Sequence, residues 1–257
     1  MKEKSVILVD IGNTSAQVAL ARGGHFVVVK RIGTSRQTRK LARNVLDSIA
    51  RRVKVDGAIL CSVVPRLDRA WLGELKRLAQ GPVLQVSHKL ELGIKIRYPR
   101  PETIGADRLA NAVAAAERYG APVIVADLGT GLTVDAVSAK CEYLGGIIAP
   151  GPMLFADYLA ERTALLPRLS LASIQKRSKA ALGKSTREAM LIGLRAGYSG
   201  MLKEFIRRLK LERGLQNARV CATGGFAETI LAGTDLKIGL DPLLTLRGIG
   251  RIYRLNV

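Results

Sequence analysis

Asp10-Ile-Gly-Asn-Thr14 and Asp127-Leu-Gly-Thr130 decide the fold, because they occupy the same place in a pattern that occurs twice. The first closes the apolar run Ser5 to Asp10 and is followed by strand-like runs over Ala16 to Ala21 and Gly24 to Arg31. The second closes the apolar run Pro122 to Asp127 and is followed by Leu132 to Ser138 and Glu142 to Ala149. Beyond each trio the periodicity turns helical and then returns to one apolar strand, Ala58 to Val64 in the first half and Ala218 to Ala222 in the second. Each half therefore reads strand, strand, strand, helix, strand, helix.

Two halves in that order resemble a duplicated ribonuclease H-like fold of the actin-like ATPases, an α/β architecture with two mixed sheets. The reading divides the chain into residues 1–120 and 121–257 and expects a ligand cleft between the halves. Fold alone does not assign function; particular residues do.

Composition narrows the classes. Hydrophobic residues make up 48% and charged residues 24% of 257 residues, a globular balance and not a disordered one. Apolar runs such as Pro122 to Ala126 and Leu144 to Pro150 fall short of the roughly 20 residues of a membrane span. The lysines within Met1 to Lys4 precede an apolar run that Asp10 interrupts, so a strand is expected there and not a leader peptide. Cys61, Cys141 and Cys221 are odd in number, lack C-x-x-C spacing and sit in apolar runs; buried free thiols and a reducing, cytoplasmic location are expected. His25 and His88 offer little material for a zinc site or a serine-histidine triad.

The net charge of +20 draws anionic partners, which include nucleic acid, nucleotides and carboxylate substrates. The basic runs Arg36 to Arg43, Arg51 to Lys54 and Lys203 to Arg213 lie at helical spacings, and aromatics are only 4%. Solvated helix faces are therefore expected ahead of a nucleic-acid platform.

In the first hairpin Gly12 permits a tight turn, and Asn13 and Thr14 add side-chain donors, a combination that can cradle a phosphate. Asp10, at the end of its strand, could hold magnesium through water. The same residue types also fill hairpin turns for structural reasons alone. The second hairpin repeats the arrangement with Asp127 and Thr130. The glycines of Thr223-Gly-Gly225 either let a flat base approach the backbone or simply turn a strand into a helix. Gly145-Gly146 and Pro150-Gly151 bracket a strand and start a helix near Met153, again a phosphate-facing helix end or plain punctuation.

Gly105-Ala-Asp-Arg108 opens an alanine-rich helix that runs to Tyr119 and ends at Gly120. Asp107, in its first turn, either complements the helix dipole or acts as an ionised carboxylate that orients a hydroxyl and takes its proton. Gly183-Lys-Ser-Thr186 matches the end of a P-loop, but Ser178 stands where that motif needs glycine and the stretch before it is basic.

Taken together, Asp10-Ile-Gly-Asn-Thr14, Gly105-Ala-Asp-Arg108, Asp127-Leu-Gly-Thr130, Gly145-Gly-Ile-Ile-Ala-Pro-Gly151 and Thr223-Gly-Gly225 resemble, in order, the motifs of type III pantothenate kinases. Leu159-Ala-Glu-Arg-Thr-Ala-Leu-Leu-Pro167 and Gly183 to Thr186 extend the likeness over nearly the whole chain. The resemblance implies transfer of the γ-phosphoryl group of ATP to the primary hydroxyl of pantothenate, the first step toward coenzyme A. ATP with magnesium and a monovalent cation, potassium or ammonium, are implied with it.

By the same resemblance Asp107 is the base. Tyr98, Gly105, Ala106, Asp107 and Arg108 contact pantothenate, and Thr186 reaches it from a partner subunit. Asp10, Ile11, Gly12, Asn13, Thr14, Ser15, Ala16, Gln17 and Thr130 hold ATP, and Asp127 holds the monovalent cation. Read without the resemblance, Tyr98 is a packed aromatic before Pro99 and Thr186 a helix N-cap. The chain departs from the family in having Leu132 for a usual threonine and Gly131 for a common alanine, which leaves Thr133 as the nearby hydroxyl.

The family also implies a homodimer. The helix from Ser185 to about Leu211 carries Met190, Leu194, Met201, Phe205 and Leu209 as an apolar stripe, with Gly193, Gly197 and Gly200 allowing close approach; packing within one subunit explains the stripe equally well. Two rival functions stand beside the kinase: a catalytically silent regulator using its charge on nucleic acid, and a kinase of the same fold acting on a sugar or another small acid.

Overall fold

The chain begins β1 (Ser5–Ile11), β2 (Ser15–Arg22), β3 (His25–Gly33), α1 (Arg39–Ile49), β4 (Gly57–Ser62), α2 (Pro65–Leu78), β5 (Val83–Gln85), β6 (Lys95–Ile96) and α3 (Ala106–Tyr119). It continues β7 (Val123–Leu128), β8 (Gly131–Val137), β9 (Glu142–Pro150), α4 (Pro152–Arg162), α5 (Leu171–Gln175) and α6 (Thr186–Leu211). The last elements are β10 (Arg219–Thr223), α7 (Ala227–Leu231), β11 (Gly239–Leu240) and α8 (Leu244–Leu255). This computed structural model describes residues 3–34, 38–51, 53–176, 180–232 and 234–257. Met1 and Lys2, Arg36 and Arg52 of the basic runs, and Ser178 of the discarded P-loop lie outside the described residues.

Residues 1–117 and 243–257 form one unit, and residues 118–242 the other. In the first unit the strand order is β3-β2-β1-β4-β5, with β1, β2 and β3 antiparallel and β4 and β5 parallel to β1. Because side chains alternate along a strand, Ile7, Val9 and Ile11 all enter one core with Ala42, Val45 and Leu46 of α1 and Leu67, Trp71 and Leu75 of α2. Leu8, on the other side of β1, meets α8 at Gly250.

The expected boundary is corrected at the C-terminus. Residues 243–257 join the first unit, because α8 presents Leu244, Leu246, Ile249, Ile252 and Tyr253 as buried positions and covers the open face of β1 and β4. Two glycines permit this approach. A Cβ on Gly248 would stand 1.9 Å from the carbonyl oxygen of Ala110 in α3, and one on Gly57 would stand 1.7 Å from the Tyr253 hydroxyl.

In the second unit the strands lie in the order β11-β10-β7-β8-β9, the same scheme as the first read in reverse, with β10 parallel to β7 and β8 and β9 antiparallel. Ile124, Ala126 and Leu128 of β7 and Leu132 and Val134 of β8 pack on Leu194, Tyr198, Leu202 and Ile206 of α6. The proposed α6 stripe is thus core: Leu194 is buried, and Met190, Met201, Phe205 and Leu209 pack against the same cluster. Gly193, Gly197 and Gly200 face open space.

The thiol expectation is also corrected in part. Cys61 and Cys221 are buried, but Cys141 is exposed and takes φ 56° in the turn between β8 and β9, where the chain reverses. No described helix is long and apolar enough to cross a membrane.

As expected of solvated helix faces, the arginines Arg39, Arg43, Arg207 and Arg208 are half or more exposed, and they also pair with acids. Glu74 of α2 has a fully buried side chain, and Arg39 and Arg43 of α1 and Arg77 of α2 donate to it at 2.8, 3.0 and 2.7 Å. On α6, Glu204 accepts from Arg207 and Arg208 at 2.7 Å each. A buried carboxylate needs such partners to offset its desolvation.

Candidate functional site

In the first unit the site is built on the C-terminal ends of β1 and β4. Gly12 N–H donates to Ser15 O at 3.0 Å and closes the turn that leaves Asn13 and Thr14 exposed. Asp10 pairs with Gln17, and Ile11 with Ala16, across the β1–β2 ladder. Ile11 and Ala16 are buried and face the core, so only their backbone is open to a ligand. Thr34, fully buried beyond β3, locks the turn: its hydroxyl donates to Gly12 O at 2.7 Å and its N–H to Thr14 O at 2.9 Å. Sequence reasoning missed Thr34, and only a hydroxyl directly after the strand-ending Gly33 hinted at it.

On the neighbouring parallel strand Cys61 lies opposite Asp10. The Cys61 side chain is fully buried and lies within the electrostatic field of Asp10, Asp107 and Asp68. Burial first, then the Asp10 and Asp107 charges, push this thiol well above the usual cysteine range. Asp10 and Asp107, nearly a hundred residues apart in the chain, thus both act on this one thiol.

Asp107 occupies the first turn of α3, and its Oδ1 accepts from the N–H of Arg108 at 2.8 Å. The carboxylate folds back over Gly105, where a Cβ would stand 2.6 Å from Oδ1, so that glycine leaves room for the acid. Ala106 is half-buried beside it, Arg108 is buried, and Tyr98 is half-buried in the segment before α3.

In the second unit Asp127 pairs with Thr133 of β8 and Thr223 of β10. Leu132 is buried in the core; Thr133, directly opposite Asp127, carries the hydroxyl on the Asp127 face of the sheet. The departure from the family pattern at Leu132 thus falls on a core position. Gly151 N–H donates to Thr130 O at 2.9 Å, and a Cβ on Gly151 would stand within 2.3 Å of the carbonyl oxygens of both Gly129 and Thr130. Gly224, at φ +96°, lies over the same loop, its Cβ position 2.5 Å from Asp127 Oδ1. The Thr223-Gly-Gly225 turn is thereby packed directly onto Asp127.

Among the described residues no group of three or more His, Cys, Asp or Glu could hold a metal ion. A cation at Asp10 or Asp127 would draw its other ligands from water, backbone carbonyls or substrate. The exposed polar turn after Asp10 and the carbonyl-rich, Cβ-free surroundings of Asp127 fit such a hard cation.

Thr186 is the first residue of α6 and is exposed. The cap is Ser185, whose hydroxyl accepts from Glu188 N–H at 3.2 Å while Glu188 accepts from Lys184 N–H at 2.8 Å, a reciprocal capping arrangement. Thr186 itself remains available on the surface.

Comparison with known proteins agrees with this picture. A family model described as type III pantothenate kinase matches residues 6–208. A type III pantothenate kinase of Akkermansia muciniphila is 42% identical over 220 residues, 86% of this chain and 87% of that protein. Among solved structures, component A of the Acidaminococcus fermentans (R)-2-hydroxyglutaryl-CoA dehydratase superposes with a TM-score of 0.57 at 13% identity, covering 97% of each chain. MreB5 of Spiroplasma citri bound to ADP superposes with 0.54 at 11% identity, covering 98% of this chain and 96% of that one. The actin-like fold with two mixed sheets is confirmed, and the chain belongs to the type III pantothenate kinase family.

Proposed function

We propose that the protein transfers the γ-phosphoryl group of ATP to the primary hydroxyl of pantothenate, with Asp107 as the base. The observation that carries the assignment is Asp107 in the first turn of α3, held by the Arg108 N–H and folded over Gly105, in a chain of this family. In the reaction the hydroxyl oxygen bonds to the γ-phosphorus, the bond from that phosphorus to the β,γ-bridging oxygen breaks, and ADP leaves with 4'-phosphopantothenate as the other product. The hydroxyl proton goes to Asp107, late in a loose transition state.

The remaining residues take supporting tasks. Asn13, Thr14 and the backbone from Gly12 to Gln17 hold the phosphates, Asp10 supports magnesium through water, and Thr130 adds a phosphate contact. When bound, magnesium would neutralise negative charge on the phosphates. Tyr98 and Gly105 to Arg108 hold pantothenate, and Asp127 holds a monovalent cation that offsets its own charge beside the phosphates.

A homodimer with Thr186 entering the partner's site completes the reading. The surface for it is the open glycine face of α6, Gly193, Gly197 and Gly200, together with Leu154, Phe155 and Tyr158 of α4, each exposed by more than 40%. Light scattering that returned the mass of one chain at assay concentration would remove it. A cytoplasmic location fits a consumer of ATP.

The decisive experiment is a coupled ADP-release assay with pantothenate, sugars and small acids as acceptors. Asp107→Asn is expected to lower pantothenate-dependent kcat by 10²-fold or more, on the order of a lost general base, with ATP binding kept. Turnover retained in Asp107→Asn refutes the assignment of the base, and turnover only with another acceptor refutes the substrate.

A further inference from the structure

The phosphoryl transfer described above engages the phosphates and the acceptor hydroxyl and leaves the base of the nucleotide without a reader. The Thr223-Gly-Gly225 turn offers a place for one. Gly224 is packed onto the Asp127 loop, while Gly225 beside it is exposed, a backbone ledge with no side chain of its own. Gln175, the last residue of α5, reaches this ledge from 50 residues earlier in the chain, and its Nε2 donates to Gly225 O at 3.1 Å.

The helix that carries Gln175 is fixed from two sides. Ile174 is fully buried in the core of the second unit, which turns the next residue outward to an exposed position. Arg195 of α6 donates from Nη2 to Ser173 O at 3.0 Å and to the carbonyl oxygens of Ile174 and Lys176. The backbone before and after Gln175 is thereby anchored, and the carboxamide is presented from a set point.

The direction of that carboxamide follows from its partner. A carbonyl oxygen only accepts, so the nitrogen must face Gly225 O and Oε1 lies on the other side. One N–H is used on Gly225; the second N–H and Oε1 form a donor and an acceptor side by side. That pair matches the edge of a 6-aminopurine, where an amino N–H adjoins a ring-nitrogen acceptor, and it is the pairing that glutamine makes with adenine in nucleic acids. A 6-oxopurine presents an acceptor in place of the amino group. A loose glutamine could turn over to meet it, but here turning over would break the Gly225 bond and set Oε1 against Gly225 O. We infer that Gln175 is a specificity-determining residue of the kinase: locked by Gly225 O, its carboxamide reads the 6-amino group and favours adenine over hypoxanthine and guanine nucleotides. This rests on the reading of the Thr223-Gly-Gly225 turn as the ledge for the base.

Calorimetry with ADP and IDP, whose bases carry an amino and an oxo group at the 6-position, tests the inference without pantothenate. The wild type is expected to bind ADP about tenfold more tightly than IDP, on the order of one good bidentate pair. Gln175→Met keeps the length of the side chain without donor or acceptor. It is expected to bring the ratio close to one by weakening ADP while IDP keeps its affinity. In the ADP-release assay the preference for ATP over ITP in kcat/KM should fall in parallel, with kcat for ATP kept.

A wild-type ratio near one, or a ratio unchanged in both Gln175→Met and Gln175→Ala, overturns the inference. So does equal weakening of ADP and IDP, which is what a purely structural hold on the turn would give. Gly225→Val, which sets a side chain on the ledge, separates this inference from the reading beneath it. If it leaves ADP affinity unmoved, the ledge and the Gln175 role fall together; if it weakens ADP and the ratio is indifferent to Gln175, only the Gln175 role falls.

Discussion

Gly248→Ala is a single methyl group placed where α8 meets α3. The added Cβ would stand 1.9 Å from the Ala110 carbonyl oxygen and 2.5 Å from its carbon, both backbone atoms that no rotamer change can move. Restoring ordinary contact near 3.5 Å requires the helices to separate by roughly 1.5 Å. Overpacking of this kind costs about 1–3 kcal/mol, and at about 2–4 °C per kcal/mol the melting temperature should fall by roughly 2–12 °C. Ala110 lies one turn after Asp107 on the same helix, so the displacement also reaches the proposed base. A shift of about 1 Å at a catalytic group costs on the order of 10²-fold. Urea denaturation and pantothenate-dependent ADP release, measured on the same preparations, report the two effects. Gly250→Ala is the control, since its Cβ would meet the Leu8 methyl at 3.3 Å and Arg254 at 3.7 Å, side-chain ends that can yield. Wild-type stability and activity in Gly248→Ala, or equal damage in Gly250→Ala, refutes the packing of α8 on α3.

Glu74 makes stability depend on pH. Hydrogen bonds from Arg43, Arg39 and Arg77 hold its pKa down from 4.5 to about 2, so the stabilisation is present above pH 4.5 and is lost as the pH falls toward 2. The arginines are 36–69% exposed, which reduces the contribution through solvent screening to about 1–2 kcal/mol. Glu74→Gln should lower the urea midpoint accordingly at pH 7, and a gap from wild type that persists unchanged at pH 2 would contradict the account. Gly224→Ala should raise the KM for ATP by about tenfold or more and alter the potassium dependence, because a Cβ there collides with Asp127 Oδ1 at an unfavourable φ. Unchanged kinetics across a potassium titration would dissociate Asp127 from the cation.

Much of the site was legible because its residues are local. The strand ends at Asp10 and Asp127, the turn glycines and the helix opened by Gly105-Ala-Asp-Arg108 are each specified within a few residues, and the structure places all three as expected. What escaped depended on partners distant in sequence. The apolar stripe of α6 has the same periodicity whether it meets a second subunit or its own sheet, and the structure assigns it to its own core. Cys141 sits between Lys140 and Glu142 in a hairpin turn, where chain reversal sets its exposure.

The order of strands and helices, the duplication and the candidate acids follow from the sequence by itself, since periodicity, turn chemistry and the capping of helices are short-range properties. The partner of α8, the lock that Thr34 places on the first hairpin, and the placing of Cys61 opposite Asp10 were decided only by tertiary structure. Each depends on two segments far apart in the chain arriving at one point, and burial there selects among side chains whose local patterns are indistinguishable.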